Sequence, residues 1–209
     1  VQTYMKPGDT FLEVCAGWFT FSLTAAVWGY QGEGCDIWDV SLDFGQRQYD
    51  RIKQKIEGGY TVRRGDAMAL PYEDNSFDFI YCNPPFFQLE KYSNSPNDLA
   101  NRRTVDEWLT DCGRMMDEML RVAKPGSLIV TVMADYREKG LLVPLHSRWI
   151  EEGLKHGLEL HDLVVQTMRA QQVRLWRRHY EAKRTVKAHE YVITFKKHGG
   201  KQESDEDDV

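Results

Sequence analysis

Asn83-Pro84-Pro85-Phe86 is the sharpest chemical signal in the chain. It directly follows Phe77-Asp78-Phe79-Ile80-Tyr81-Cys82, an apolar run that reads as a strand. An exocyclic amine on an aromatic base is a poor nucleophile, because its lone pair is delocalised into the ring. Acceptors aimed at its hydrogens draw the nitrogen toward a tetrahedral shape and localise the pair. The Asn83 side-chain oxygen and the Pro84 backbone carbonyl are candidates for that role. The prolines fix the direction in which the carbonyl points. Phe86 offers a flat face for a base taken out of its stack. The plainer alternative is a rigid Asn-Pro-Pro turn followed by a core phenylalanine.

A second constellation lies upstream. The first apolar run ends Leu12-Glu13-Val14-Cys15-Ala16-Gly17. An acid followed by a small-residue turn suits an adenosine cofactor, with Glu13, Cys15, Ala16 and Gly17 as candidate contacts. Asp36 follows Glu13 by 23 residues, and Asp36-Ile37 close the second strand, where a carboxylate can take ribose hydroxyls. Asp66-Ala67 close the third, where a carboxylate can accept from an adenine amine. Any one of these acids alone also fits a solvated loop. Neither the G-x-G-x-x-G fingerprint nor a Walker lysine is present, so a dehydrogenase is excluded. Trp18-Phe19 after Gly17 would crowd a pyrophosphate, which favours a smaller, phosphate-free adenosine cofactor.

A third signal is electrostatic. Arg169, Arg174, Arg177, Arg178, Lys183, Arg184 and Lys187 face one acid, Glu181, across residues 169–187, with Trp176 and Tyr180 interleaved. Bases mixed with aromatics suit phosphate contact and base stacking, and a solvated basic face is the alternative. The polar stretch from Phe86 to Arg103 is long for a compact domain; it can close over a base or read sequence, or remain an unstructured connection. Cys15, Cys35, Cys82 and Cys112 form no C-x-x-C pair, which argues against zinc, and no metal is expected.

These residues need a frame. Strands are predicted at Thr10–Cys15, Gly34–Ile37, Tyr60–Arg64, Phe77–Cys82, Leu128–Met133, Leu158–Thr167 and Glu190–Phe195. Helices are predicted at Phe19–Trp28, from a Ser41 cap to Ile56, from Thr104 to the Lys124-Pro125-Gly126 stop, and at Leu145–His156. Thr104 and Glu107 have capping-box spacing. The alternation implies an α/β fold with a parallel sheet covered on both faces. The last pair of strands, joined by the basic excursion, is expected to pair antiparallel at one edge.

The Asn83-Pro84-Pro85-Phe86 motif after a strand resembles the signature of amino-group methyltransferases of the N6-adenine/N4-cytosine DNA type. Leu12–Gly17 is similar to the acidic-then-glycine cofactor motif of the same class, with Trp18-Phe19 where a second glycine is usual. Lys187–Lys197, with His189-Glu190 before an apolar run, is similar to their closing strand. The resemblance implies a Rossmann-like, seven-stranded, mostly parallel sheet with an antiparallel edge strand. It implies S-adenosylmethionine as cofactor and direct methyl transfer to a DNA base, adenine N6 before cytosine N4. Asn83 then touches both cofactor and base. RNA is the alternative substrate, and a non-catalytic nucleic-acid-binding subunit the alternative role. Cytosine-C5 chemistry is excluded, because that family's nucleophilic Cys follows a Pro and no Pro here precedes a Cys.

Composition bounds the rest. With 42% hydrophobic and 12% aromatic residues, the main body is globular. No run approaches the ~18 apolar residues that cross a bilayer, so no membrane partner is expected. The net charge of -5 comes from Glu203–Asp208. Residues 1–198 are expected to form the catalytic domain and 199–209 a disordered acidic tail, in a cytoplasmic or nucleoid-associated protein. Recognition of a target sequence would need the loop, the basic segment, a flanking domain or a partner subunit.

Overall fold

The computed structural model describes residues 3–87, 92–94, 96–167 and 189–199. The basic segment at 169–187 and the acidic tail from 200 therefore lie outside the described residues.

The chain runs β1 (Thr10–Val14), α1 (Thr20–Val27), β2 (Gln31–Asp36), α2 (Asp39–Ile52), β3 (Gly59–Arg64) and β4 (Phe77–Cys82). It continues with α3 (Val105–Val122), β5 (Ala123–Met133), β6 (Tyr136–Glu138), β7 (Leu141–Val143), α4 (Leu145–Lys155), β8 (Leu158–Thr167) and β9 (His189–Lys197). Seven strands form one sheet in the order β3-β2-β1-β4-β5-β9-β8. β1 to β5 are mutually parallel, and β9 runs antiparallel to both β5 and β8. This is the Rossmann-like α/β architecture, with its reversed strand inserted next to the β8 edge.

The central strands are buried on both faces, so they read as apolar runs rather than alternations. Along β1, Phe11 packs into a cluster with α1 residues Phe21, Ala25 and Ala26, whereas Leu12 and Val14 join the larger cluster under α3 and α4. In β4 Phe79 faces the first cluster, and Phe77, Ile80 and Cys82 the second. The core of the second cluster holds Trp108, Met115, Met116, Met119 and Trp149, all fully buried.

β2 starts at Gln31 rather than Gly34, because Gly32 and Gly34 disguise it. A Cβ on Gly32 would stand 2.3 Å from the Phe11 carbonyl oxygen. α2 begins at Asp39, ahead of the predicted Ser41 cap, and Ser41 is buried inside its first turn. The β6–β7 hairpin has no counterpart among the sequence expectations, since three-residue strands show no period.

Candidate cofactor and methyl-transfer site

The carboxyl ends of β1, β2, β3 and β4 border one cleft, as expected where strand order reverses about a first strand. It encloses about 770 Å³, open solvent at its mouth included. Of the residues read from sequence as cofactor contacts, Cys15, Gly17, Asp36, Ile37, Asp66, Ala67 and Asn83 line it. Glu13 and Ala16 do not.

Glu13 is 4% exposed and sits behind the cleft wall. α1 has Phe19 at its N-cap with no side-chain hydrogen bond, so its first N–H groups need another acceptor. Glu13 supplies it: its carboxylate accepts from Ser22 N at 2.8 Å, Ser22 Oγ at 2.6 Å and Phe21 N at 3.3 Å. Burial pushes its carboxyl up to about 7, against the lowering effect of those donors. Ala16 is likewise inward, its N–H donating to the Cys35 carbonyl at 3.0 Å. Both residues thus shape the loop after β1 from behind.

Asp36 holds that loop from the front. Its carboxylate accepts from Gly17 N at 2.7 Å and Trp38 N at 2.8 Å, and burial raises its pKa. Gly17 has φ 50, the left-handed region where glycine is at home. Asp66 accepts from Met68 N at 2.9 Å. These two carboxylates stand on the cleft wall and suit hydroxyl and amine donors of an adenosine group. Between them the floor is sulfur-rich. Burial pushes the Cys35 thiol up to about 12, and the Cys15 thiol rises through its neighbour Cys82 and through burial. Neutral thiols make an apolar floor, with Cys15 Sγ 3.9 Å from Met115 Sδ.

The expectation that Trp18 and Phe19 would crowd a phosphate is corrected for Phe19. Its ring is fully buried in the sheet core, stacked on Tyr60 at 6.0 Å. Trp18 is the exposed member, and its ring meets Phe44 at 4.8 Å and Trp38 at 6.4 Å.

The Asn83-Pro84-Pro85 turn leaves β4 at the cleft. Asn83 is exposed and lines it with Pro85, while Pro84 is buried. Trp108 Nε1, from α3, donates to the Pro85 carbonyl at 3.1 Å and fixes the turn. Phe86 departs from the expected role. It is 8% exposed and belongs to the core cluster under α3, so it anchors the turn and offers no open face for stacking a base.

The long polar loop is also placed differently from expectation. Its described part folds back over the cofactor cleft, where Tyr92, Ser93, Asn97, Asp98 and Leu99 complete the wall. Asp98, buried, gathers this segment by accepting from Ser93 N at 2.8 Å and Ala100 N at 3.0 Å. Asn97 Nδ2 reaches Asp66 at 3.5 Å. Sequence reading missed Cys35, Trp38, Ser41, Met68 and Asp98 as wall residues. The signal for Trp38 was its place two residues after Asp36; Asp98 gave none, since an acid in a polar loop is unremarked.

The sheet order and the cleft at the carboxyl ends of β1 to β4 are those of a Rossmann-like domain that takes an adenosine cofactor. A methyltransferase-domain model matches residues 12–131, more than half of the chain, and the chain belongs to that family. A DNA methylase model matches residues 77–209. Demethylmenaquinone methyltransferases of Bacillus cereus and Bacillus anthracis are 32% identical over 130 residues, 60% of this chain and 45% of theirs. The chain thus spans about half the length of the curated relatives it matches. A SAM-dependent methyltransferase from Methanosarcina mazei shares the fold with TM-score 0.68 and 16% identity, covering 95% of this chain and 97% of that one. Another from Aquifex aeolicus gives TM-score 0.58 at 14% identity, with 94% and 86% covered. Among the described residues no helix is long and apolar enough to cross a membrane, and no cluster of metal-ligating side chains occurs.

Proposed function

We propose that this protein methylates an exocyclic amino group of a DNA base, adenine N6 in preference to cytosine N4. The observation that carries the reading is the Asn83-Pro84-Pro85 turn, standing at the end of β4 on the wall of the cofactor cleft. The DNA methylase match over residues 77–209 supports it. When bound, S-adenosylmethionine supplies a methyl group made electrophilic by its sulfonium.

The rest is the work of the chain. Asp36 and Asp66 hold the adenosine end in place, and neutral Cys15 and Cys35 keep the floor apolar. The Asn83 oxygen and the Pro84 carbonyl accept from the amine's two hydrogens and localise its lone pair. The uncharged Asn83 does not need to take the proton, which leaves to solvent after transfer. Trp108 keeps the turn from rotating by holding the Pro85 carbonyl. Phosphate contacts fall to the basic segment from Arg169 to Lys187.

A second reading is methylation of a small molecule. It is favoured by the 32% identity to a demethylmenaquinone methyltransferase, which covers 60% of this chain. An RNA base is the third.

The deciding experiment offers labelled S-adenosylmethionine with DNA, RNA and a demethylmenaquinone in parallel, then digests the nucleic acids to nucleosides. Label in N6-methyladenine or N4-methylcytosine from DNA is the expected result. Label only in the quinone, or only in RNA, refutes the proposal. Asn83→Ala removes one of two aimed acceptors, and the rate is expected to fall about a hundredfold or more, as when one preorganised group is deleted at other polar transition states. Cofactor affinity should stay within a few-fold.

A further inference from the structure

β6 and β7 form a hairpin between β5 and α4, outside the seven-stranded sheet. Its foot is anchored. Tyr136 and Val143 pair across it and pack against the core under α3 and α4. The Tyr136 ring meets Phe87, just beyond the Asn83-Pro84-Pro85 turn, edge-on at 5.4 Å. Because β5 ends at the carboxyl edge of the sheet, the hairpin rises from the same rim as Asn83.

Its tip is built differently. Lys139 and Gly140, with φ 47 and 88, make a tight hairpin turn. Arg137 Nη1 donates to the Gly140 carbonyl at 3.1 Å and braces it. Leu141 is 75% exposed and Leu142 is 55% exposed. A hairpin of two short strands has little stability of its own in water, and exposed leucines add none. Adjacent exposed leucines held on a braced tip beside the reacting site mark a contact surface.

The charges around the tip indicate the partner. Arg137 and Lys139 flank Glu138, and Leu142 borders a groove with Arg103, Asp106, Glu138 and Arg148. Asp106 pairs with Arg148 at 3.3 Å. Across tip and groove together, Arg103, Arg137, Lys139 and Arg148 stand against Asp106 and Glu138, a surplus of bases that suits a polyanion. Chemistry on a base inside a duplex requires its extrusion, and apolar side chains such as leucine enter between base steps in proteins that unstack them.

We infer that the β6–β7 tip is a wedge for duplex DNA. Leu141 enters the stack and occupies the space that the target base leaves, Leu142 on the opposite face of the strand lies along the groove, and Arg137 and Lys139 meet flanking phosphates. The inference rests on the base-methylation reading and gives it a means of reaching paired substrates.

The test compares the wild-type chain with the double variant Leu141→Ser, Leu142→Ser, which removes no buried side chain. Methyl transfer is measured on a mixed-sequence oligonucleotide as single strand, as perfect duplex and as a duplex with a mismatched bubble. The duplex rate is expected to fall about tenfold or more, the single-strand rate to stay within about twofold, and the bubble to restore activity. Unchanged duplex activity, or an equal loss on all three substrates, overturns the wedge and leaves base methylation standing. No label in any DNA with the wild-type chain overturns base methylation and the wedge with it. Sedimentation of both proteins closes the remaining route: a dimer that depends on the leucines means that the tips meet each other, and the wedge fails.

Discussion

Replacing Glu13 by Gln should change how stability depends on pH, in a direction opposite to that of most carboxylates. Glu13 lies in the layer between β1 and α1, 4% exposed, with its carboxyl raised from 4.5 to about 7 mainly by burial. Between those values the folded chain keeps a proton that the unfolded chain releases. Glu13's own contribution to folding is therefore greatest below pH 4.5, falls as pH rises toward 7, and is level above it. A displacement of that size corresponds to about 3 kcal/mol across the window. Glu13→Gln cannot titrate, so this slope should vanish, while other groups keep theirs. The assay is urea unfolding followed by tryptophan fluorescence at half-unit pH steps, read as the difference between wild type and variant. That difference should shift by about 3 kcal/mol in favour of the variant from acid to neutral pH. Gln keeps one acceptor for Ser22 but turns an amide N–H toward Phe21 N or Ser22 N. A pH-independent offset of about 1–3 kcal/mol against the variant is thus superimposed. A difference that stays constant through the window would refute the reasoning. It would mean that the donors from Phe21 and Ser22, at the positive end of α1, outweigh burial and hold Glu13 ionised.

Other expectations follow from the site. Trp108→Phe keeps a buried ring but deletes the donor to the Pro85 carbonyl, so turnover should drop about tenfold or more while cofactor affinity, measured by calorimetry, stays put. An unchanged rate would show that the turn is rigid without Trp108. Asp36→Asn leaves one acceptor oxygen for the Gly17 and Trp38 N–H groups that now share two. The loop after β1 should loosen, and the cofactor dissociation constant should rise about tenfold or more, equivalent to one lost hydrogen bond to a charged group. Equal affinity in calorimetry would remove Asp36 from the cofactor wall.

The centre of the sheet was legible because β1, β4 and β5 hold apolar runs closed by turn residues, and the outer strands were legible from their spacing between turn residues. β4 and β8 match their predicted spans residue for residue. α3 starts where the Thr104–Glu107 spacing puts it: Thr104 Oγ1 accepts from Glu107 N at 3.1 Å. Its reciprocal bond is displaced by one residue, from Arg103 N to Glu107 at 3.0 Å. What escaped sequence reading depends on side-chain direction. An acid at a strand end can face a cleft, as Asp36 does, or turn under a helix, as Glu13 does, and the spacing of the acids is silent on which. Phe86 likewise follows the Asn-Pro-Pro turn in either role, platform or anchor; the packing of α3 decides for the anchor. The loop beyond it could be judged functional from length alone, but its seat over the cofactor wall comes from Asp98 and its N–H partners.

Phe19 shows how the missing second glycine is accommodated. A phenylalanine with φ 55 carries a local penalty of about 1–2 kcal/mol. Full burial of its ring returns about 1.5–3 kcal/mol. The room for that ring comes from glycines placed elsewhere. A Cβ on Gly34 of β2 would stand 2.4 Å from the ring, and one on Gly45 of α2 would stand 2.6 Å from it. The glycine requirement has moved from the loop to the two elements facing it. The loop is then held under strain, with Cys15 at φ 53 as well, by Glu13 from behind and Asp36 from in front. Strain concentrated in a loop that borders a cofactor cleft, and overdetermined by buried Glu13 and half-buried Asp36, is what preorganisation of that cleft requires. The departure from the glycine motif therefore keeps the backbone path along the cofactor and carries the new side chain away from it.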